Sequence, residues 1–218
     1  MILWVAEVGS AHKGVESLAY EYIRAYSQAG ADMLKFQLGW TKEAQERFGL
    51  QYNPVRYVDA IAPKLKEWCG YYGVKMMASI WSKEGLETAE ASHLDLYKIG
   101  KKMYDSYPDF VSKVCEKHPT TAISGKDIFT VGEYPTYPNH FSMPEKFTEP
   151  VVGYSDHTHG IEACLLAVSR GATYIEKHVA LDKTDLVTRD TPFSATPSEF
   201  EQMVKIGNGI RRLLDAES

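Results

Sequence analysis

The chain has 218 residues, of which 44% are hydrophobic, 24% charged and 12% aromatic, and its 24 basic and 29 acidic residues leave a net charge of −5. That mix belongs to an ordinary globular domain and excludes disordered, collagen-like and membrane-spanning chains. No stretch of Lys and Arg is dense enough to follow a phosphate backbone, which excludes nucleic acid as a partner. Cys69, Cys115 and Cys164 lie far apart in apolar segments without a C-x-x-C, so they read as small buried hydrophobes in a reducing compartment. The opening MILWVAEVG is too short for a signal-peptide core and lacks a basic leader; a cytoplasmic location is expected.

Apolar runs rich in β-branched or aromatic residues alternate with segments of helical period. The first strand is expected at Ile2–Ala6, followed by a helix whose inner face is Val15, Ala19, Tyr22, Ile23 and Tyr26 and whose stop is Gly30. A second strand falls at Met33–Phe36. Pro63 then predicts the first turn of a helix carrying Leu65, Trp68, Cys69 and Tyr72. Further strands are expected at Lys75–Ala78, Leu94–Lys98, Thr120–Ile123 and Ile128–Val131, and the Pro- and Tyr-rich stretch Glu133–Pro150 reads as a packed loop. Next come a strand at Val151–Tyr154, a helix over Ile161–Ser169 closed by Gly171, and a strand at Tyr174–Lys177. Thr196, Pro197 and Glu199 form a capping box that opens a last helix with a buried stripe of Phe200, Met203, Val204, Ile210, Leu213 and Leu214.

Strands alternating with helices argue for a parallel sheet, and eight of them for a closed α/β barrel of the TIM type, (β/α)8, as a single domain over 1–218. Such barrels need about 250 residues, with a lower limit near 200. The shortage has an address: only Ser124, Gly125, Lys126 and Asp127 separate the fifth and sixth strand runs, so the helix between strands 5 and 6 is missing. Either those runs pair as a hairpin or one of them is not a barrel strand.

Barrel active sites are built at the C-terminal strand ends. The first strand ends in Glu7, the second in Lys35 and Gln37, the fourth in Lys98. A lysine in an apolar strand is costly unless it faces a partner or a wet cavity, and two at matching strand ends point to an anion site. The strongest local signal is Gly153-Tyr-Ser-Asp-His157-Thr-His-Gly160 followed by Tyr174-Ile-Glu-Lys-His178. A single histidine reads as a core or surface residue, but His157 and His178 finish neighbouring strands with Glu7 and Asp190 nearby, so the two are expected to converge on one divalent metal. His93, His118 and His140 read as surface residues, and His12 and His159 as ligand-orienting or loop-holding.

Together these motifs resemble the sialic acid synthase family. Glu7-Val-Gly with His12-Lys-Gly14, Ala29 through Gln37, Tyr97-Lys-Ile-Gly100, Tyr134-Pro135, Gly153 through Thr158 and Glu176-Lys-His178 occur in that order. The resemblance implies a TIM barrel that condenses phosphoenolpyruvate with an N-acetylmannosamine-like aldose to a nonulosonic acid, using Mn2+ or Mg2+. It implies that His157 and His178 hold the metal, a Lewis acid on the aldehyde, and that Lys35 and Lys98 hold the carboxylate and phosphate of phosphoenolpyruvate. Gln37, Ser79, Ser124, Tyr134 and Ser155 would line the substrate pocket. Glu7 and Asp190 would be the catalytic acids that orient sugar hydroxyls, a metal-bound water or a transferred proton.

There are departures from the family pattern. Lys101 and Met103 stand where the family has a serine and an acid; Ala11 and Gly132 replace asparagines. A C-terminal antifreeze-like domain is not expected, and the sequence leaves the oligomeric state open, a barrel-only homodimer being one alternative. Three functions follow: a divergent synthase, a metal-dependent aldolase or lyase acting on another 2-keto acid, and a non-catalytic barrel binding a sugar phosphate or a partner protein.

Overall fold

The computed structural model describes residues 1–51, 53, 58–184 and 188–216. In chain order the strands and helices are β1 (Leu3–Glu7), α1 (Glu16–Gln28), β2 (Met33–Leu38), α2 (Lys42–Arg47), α3 (Ala62–Tyr71), β3 (Lys75–Ile80), α4 (Lys83–Ala91), β4 (Leu96–Ile99), α5 (Lys101–Ser106), α6 (Pro108–Lys117), β5 (Ala122–Ile123), β6 (Ile128–Thr130), β7 (Gly153–Asp156), α7 (Glu162–Ser169), β8 (Tyr174–His178) and α8 (Pro197–Ala216). Each expected strand is present, with ends displaced by a residue or two. The sheet order is β5-β4-β3-β2-β1-β8-β7-β6 with every pairing parallel, and a parallel bridge between Ser124 and Ile128 joins its two ends. This is a TIM-type barrel.

No helix separates β5 from β6, yet neither alternative drawn from the sequence holds, since both runs are barrel strands and they run parallel. A crossover is needed only when the chain must return to the base of the sheet. Here β6 begins beside the residue that follows β5, so a single turn suffices. Gly125 takes φ +87° in that turn, and the Asp127 carboxylate accepts from the Ile123 N–H at 2.9 Å. The β6–β7 connection also lacks an α-helix and carries only a 3₁₀ turn at Pro138–His140. Its Phe147 is buried, as a packed loop requires.

Strand alternation sorts the side chains into layers. Outward residues such as Leu34, Phe36, Leu38, Met76 and Ile175 pack in the main core shared with the helices. Inside the barrel, Val5, Met33, Met77, Ile128 and Tyr174 form a separate apolar plug. Two residues further along the strands stand Glu7, Lys35, Ser79 and Glu176, all buried. The plug therefore gives the polar layer a dry floor.

The helices keep their expected signals with local exceptions. Thr196 and Glu199 form the capping box: the Thr196 N–H donates to Glu199 Oε2 at 2.8 Å and the Glu199 N–H to Thr196 Oγ1 at 3.4 Å. Along α8, Phe200 and Met203 are buried, but Leu213 is 69% exposed, so the stripe fades towards the end of the helix. Val15 precedes α1 and is exposed. All three cysteines are free. No helix among the described residues is long and apolar enough to cross a membrane. At the end of β2, Gly39 lies against α4 so closely that a Cβ at Gly85 would stand 2.6 Å from the Gly39 backbone. Gly85→Ala is accordingly expected to cost about 1–3 kcal/mol by overpacking, read as a lower urea midpoint; an unchanged midpoint would show that the two backbones have room to part.

Candidate active site

All the residues expected at the site from the sequence line one cavity of about 640 Å³ at the C-terminal mouth of the barrel: Glu7, Lys35, Gln37, Ser79, Lys98, Ser124, Tyr134, Ser155, His157, His178 and Asp190. Its deepest part is a charge cluster. Lys35 Nζ lies 2.8 Å from Glu7 Oε2 and 3.2 Å from Glu176 Oε1, and it donates to Ser79 Oγ at 3.1 Å. Lys98 Nζ reaches both Glu176 oxygens at 2.7 Å. Ser155 and Tyr174 hydroxyls also donate to Glu176, at 2.9 and 2.6 Å. Gln37 Nε2 donates to Glu7 Oε1 at 3.0 Å, while Gln37 Oε1 accepts from the Trp40 indole N–H.

Burial opposes every charge in this cluster, and the neighbours decide the outcome. Burial alone would raise the Glu176 carboxyl, but Lys35 and Lys98 hold it well below the ordinary carboxylate range. Burial would lower Lys35, but Glu176 and Glu7 outweigh it and raise its pKa. Lys98 is pushed down to about 8 by burial, with the Lys35 charge adding to the fall against the pull of Glu176. In Glu7, burial prevails over Lys35 and raises the carboxyl. Glu7 is thus the carboxylate of the cluster that takes up a proton most readily.

Above the cluster sit the two histidines, their ring centroids 5.4 Å apart. His157 Nδ1 lies 2.9 Å from the Val131 carbonyl, to which it can only donate, so Nε2 keeps its lone pair. Tyr134 packs on that imidazole at 3.9 Å. His178 Nδ1 stands 3.8 Å from Asp190 Oδ2. Both rings are held neutral, with pKa values lowered to about 3, His157 by burial and by His178, His178 by burial and by Lys35. Neutral imidazoles are what a divalent cation requires. No group of three His, Cys, Asp or Glu side chains among the described residues is gathered to ligand spacing. The donor set that fits is therefore two imidazole nitrogens with the remaining positions left to water and substrate oxygens. Glu7 is turned to Lys35 and Gln37, and Asp190 stands beside His178.

Glu176 is a site residue beyond those expected from the sequence, and its signal is spacing: it precedes His178 by two and so faces inward with it. Asp105, Trp40, Trp81 and Arg189 also line the cavity. Lys101 and Lys102 are at its rim, where Lys101 pairs with Asp105 at 2.8 Å and Lys102 donates to the Phe48 carbonyl at 3.0 Å. Met103 is buried in the main core. His12 is fully buried and accepts from the Gly14 N–H at 3.0 Å, so it holds the loop after β1; exposed His159 lies 3.1 Å from the Pro192 carbonyl. His93 and His140 are exposed as expected, but His118 is half-buried, stacked on Tyr97 at 3.9 Å and beside Glu90.

An eight-stranded parallel barrel with a polar, ion-paired mouth defines an α/β-barrel protein of the TIM type. Residues 131–217 match the model of the NeuB family. The spore coat polysaccharide biosynthesis protein SpsE of Bacillus subtilis is 27% identical across 95% of this chain and 66% of its own length. The pseudaminic acid synthase of Campylobacter jejuni is 28% identical across 92% of this chain and 71% of its own. Among solved structures, the sialic acid synthetase of Leptospira borgpetersenii in complex with citrate superposes with a TM-score of 0.79 at 23% identity, covering 98% of this chain and 85% of that one. The chain is thus similar to the NeuB, or sialic acid synthase, family, whose model matches residues 131–217, and it spans about two thirds of the length of the curated relatives it matches.

Proposed function

We propose that this barrel condenses phosphoenolpyruvate with an N-acetylmannosamine-like aldose, with a divalent cation on His157 and His178, and releases phosphate and a nonulosonic acid. The observation that carries this reading is the single cavity in which two buried lysines and two neutral imidazoles meet. Lys35 and Lys98 offer cationic points for the carboxylate and phosphate, with Ser79, Ser124 and Ser155 as hydroxyl donors beside them. Charge arithmetic supports the cation: Glu7 and Glu176 already neutralise the two lysines, so a polyanionic substrate enters a cluster of no net charge. Held by His157 and His178, a divalent ion such as Mn2+ or Mg2+ would supply the missing positive charge and Lewis acidity towards the aldehyde oxygen.

In this reaction C3 of phosphoenolpyruvate forms a bond to the aldehyde carbon, a water oxygen adds at C2, and phosphate departs. Glu7, whose carboxyl is raised by burial, accepts and returns a proton at the mouth of the lysine cluster. Asp190 orients His178 and a sugar hydroxyl, and Tyr134 closes the cavity over His157. The names of the relatives support sugar-acid synthesis as the class of chemistry. A second reading, a metal-dependent aldolase or lyase on another 2-keto acid, is favoured by Met103, which is turned into the core and offers the cavity no acid.

Mixing the protein with phosphoenolpyruvate, Mn2+ and a panel of N-acetylated aldoses decides between them. Aldose-dependent phosphate release that EDTA abolishes is expected. No release with any aldose, together with cleavage of a 2-keto sugar acid, would establish the second reading.

A further inference from the structure

We infer that the buried Asp156–Lys177 ion pair on the outer face of the barrel is a positioning device that sets the spacing of His157 and His178. In β7 and β8 alternate residues face inward, so Ser155, His157, Glu176 and His178 enter the cavity while Asp156 and Lys177 point the other way. Asp156 and Lys177 are register partners across the two strands, and both are 0% exposed. Each is covalently next to one of the histidines.

The contacts of the pair are directional. Lys177 Nζ donates to Asp156 Oδ2 at 2.5 Å and to the Thr158 carbonyl at 2.5 Å, so one ammonium holds the residues on both sides of His157. Asp156 Oδ1 accepts from the Tyr154 hydroxyl at 2.9 Å and the Thr158 N–H at 3.0 Å. Its Oδ2 also accepts from the Thr158 hydroxyl at 3.2 Å and the Cys164 thiol at 3.6 Å, which ties the cluster to α7. The backbone on both sides of His157 is thereby held just beyond the end of β7. A buried ion pair is weak evidence for stability, because apolar residues of similar volume often serve as well. What apolar packing lacks is the fixed bond directions that tie residue 177 to residues 156 and 158. Neither residue lines the cavity, so the pair acts on the site through its chain neighbours, Ser155 and His157 beside Asp156 and Glu176 and His178 beside Lys177. Only the consequence for metal affinity rests on the function proposed above; the placement of the rings does not.

The test replaces both charges at once with Asp156→Leu/Lys177→Met, and compares the metal-free crystal structure, thermal midpoint and Mn2+ affinity by calorimetry with those of the unaltered protein. The expected result is a midpoint within about 5 °C, as for apolar replacement of a buried pair. The histidine rings are expected to move apart or rotate by about 1 Å, and the Mn2+ affinity to fall about tenfold or more, as when an outer partner of a metal ligand is lost. Rings in their original places with Mn2+ affinity within about twofold would overturn the proposal. Should the unaltered protein bind no Mn2+, the metal reading fails and the ring positions still decide this one. Asp156→Asn, which keeps the shape and the acceptor for the Thr158 N–H, is the second variant. Undisturbed rings there as well would contradict the positioning role, and a smaller displacement in the same sense supports it.

Discussion

Glu176→Ala is expected to lower stability by about 3–5 kcal/mol, the range for removing one partner of a buried charge pair. Glu176 accepts from Lys98, Ser155 and Tyr174 and pairs with Lys35. Without it Lys35 retains Glu7, but Lys98 loses its carboxylate at a position that is only 3% exposed. The loss also depends on pH. The Lys98 pKa is already lowered to about 8, and a lysine with a depressed folded pKa disfavours the fold most below that pKa and least above the unfolded value near 10.4. Removing Glu176 lowers that folded pKa further, so the deficit should be larger at pH 7 than at pH 9.5. Urea denaturation at the two pH values reads both effects. A loss under about 1 kcal/mol at pH 7 would mean that Lys98 leaves the cavity floor and finds water.

The second large effect is acid lability centred on the histidines. His157 and His178 have folded pKa values of about 3 against 6.5 for ordinary histidine. For a depressed folded pKa the associated stability is present above the unfolded pKa and is lost as pH falls towards the folded one. The window is therefore about 6.5 down to 3. At one pKa unit per 1.36 kcal/mol, the fall from pH 6.5 to pH 4.5 has a ceiling of about 3 kcal/mol for each ring. Carboxylates titrate in the same range, so the comparison is with His157→Gln/His178→Gln, which removes the two rings and keeps everything else. The double variant is expected to lose markedly less stability than the unaltered protein between pH 6.5 and 4.5 in urea titrations. Parallel losses would show that the rings reach solvent and charge without unfolding.

Much of the fold was legible because its signals are local. Alternating residues such as Met33, Lys35 and Gln37 declare which side of the strand is which, Gly30 and Gly171 stop helices, and Thr196 with Glu199 opens one. The β5–β6 connection escapes sequence rules for a geometric reason: the length rule for parallel crossovers assumes that each strand starts at the base of the sheet, and β6 starts beside the end of β5. The burial of α8 was overestimated because periodicity marks Leu213 as one of the inner face without revealing where the covering surface ends.

The site was legible in its cations and imidazoles, since lysine in an apolar strand and histidine at a strand end are both conspicuous. Its anions were less so. Glu176 looked like the neighbour of a histidine, and only the register of β8 against β1 and β7 shows it as the hub of the lysine cluster. Asp105 could not be assigned from spacing, because the helical turn that carries it to the cavity also carries Met103 to the core.

The central claim is tested most directly by incubating the protein with 3-13C phosphoenolpyruvate, Mn2+ and an N-acetylated aldose, and following the labelled carbon by NMR. The prediction is a new methylene signal from C3 of a 2-keto acid, formed in step with free phosphate and absent with Lys98→Met or His157→Ala. Phosphate release that leaves the label in pyruvate, or product formation undiminished in those two variants, would contradict it.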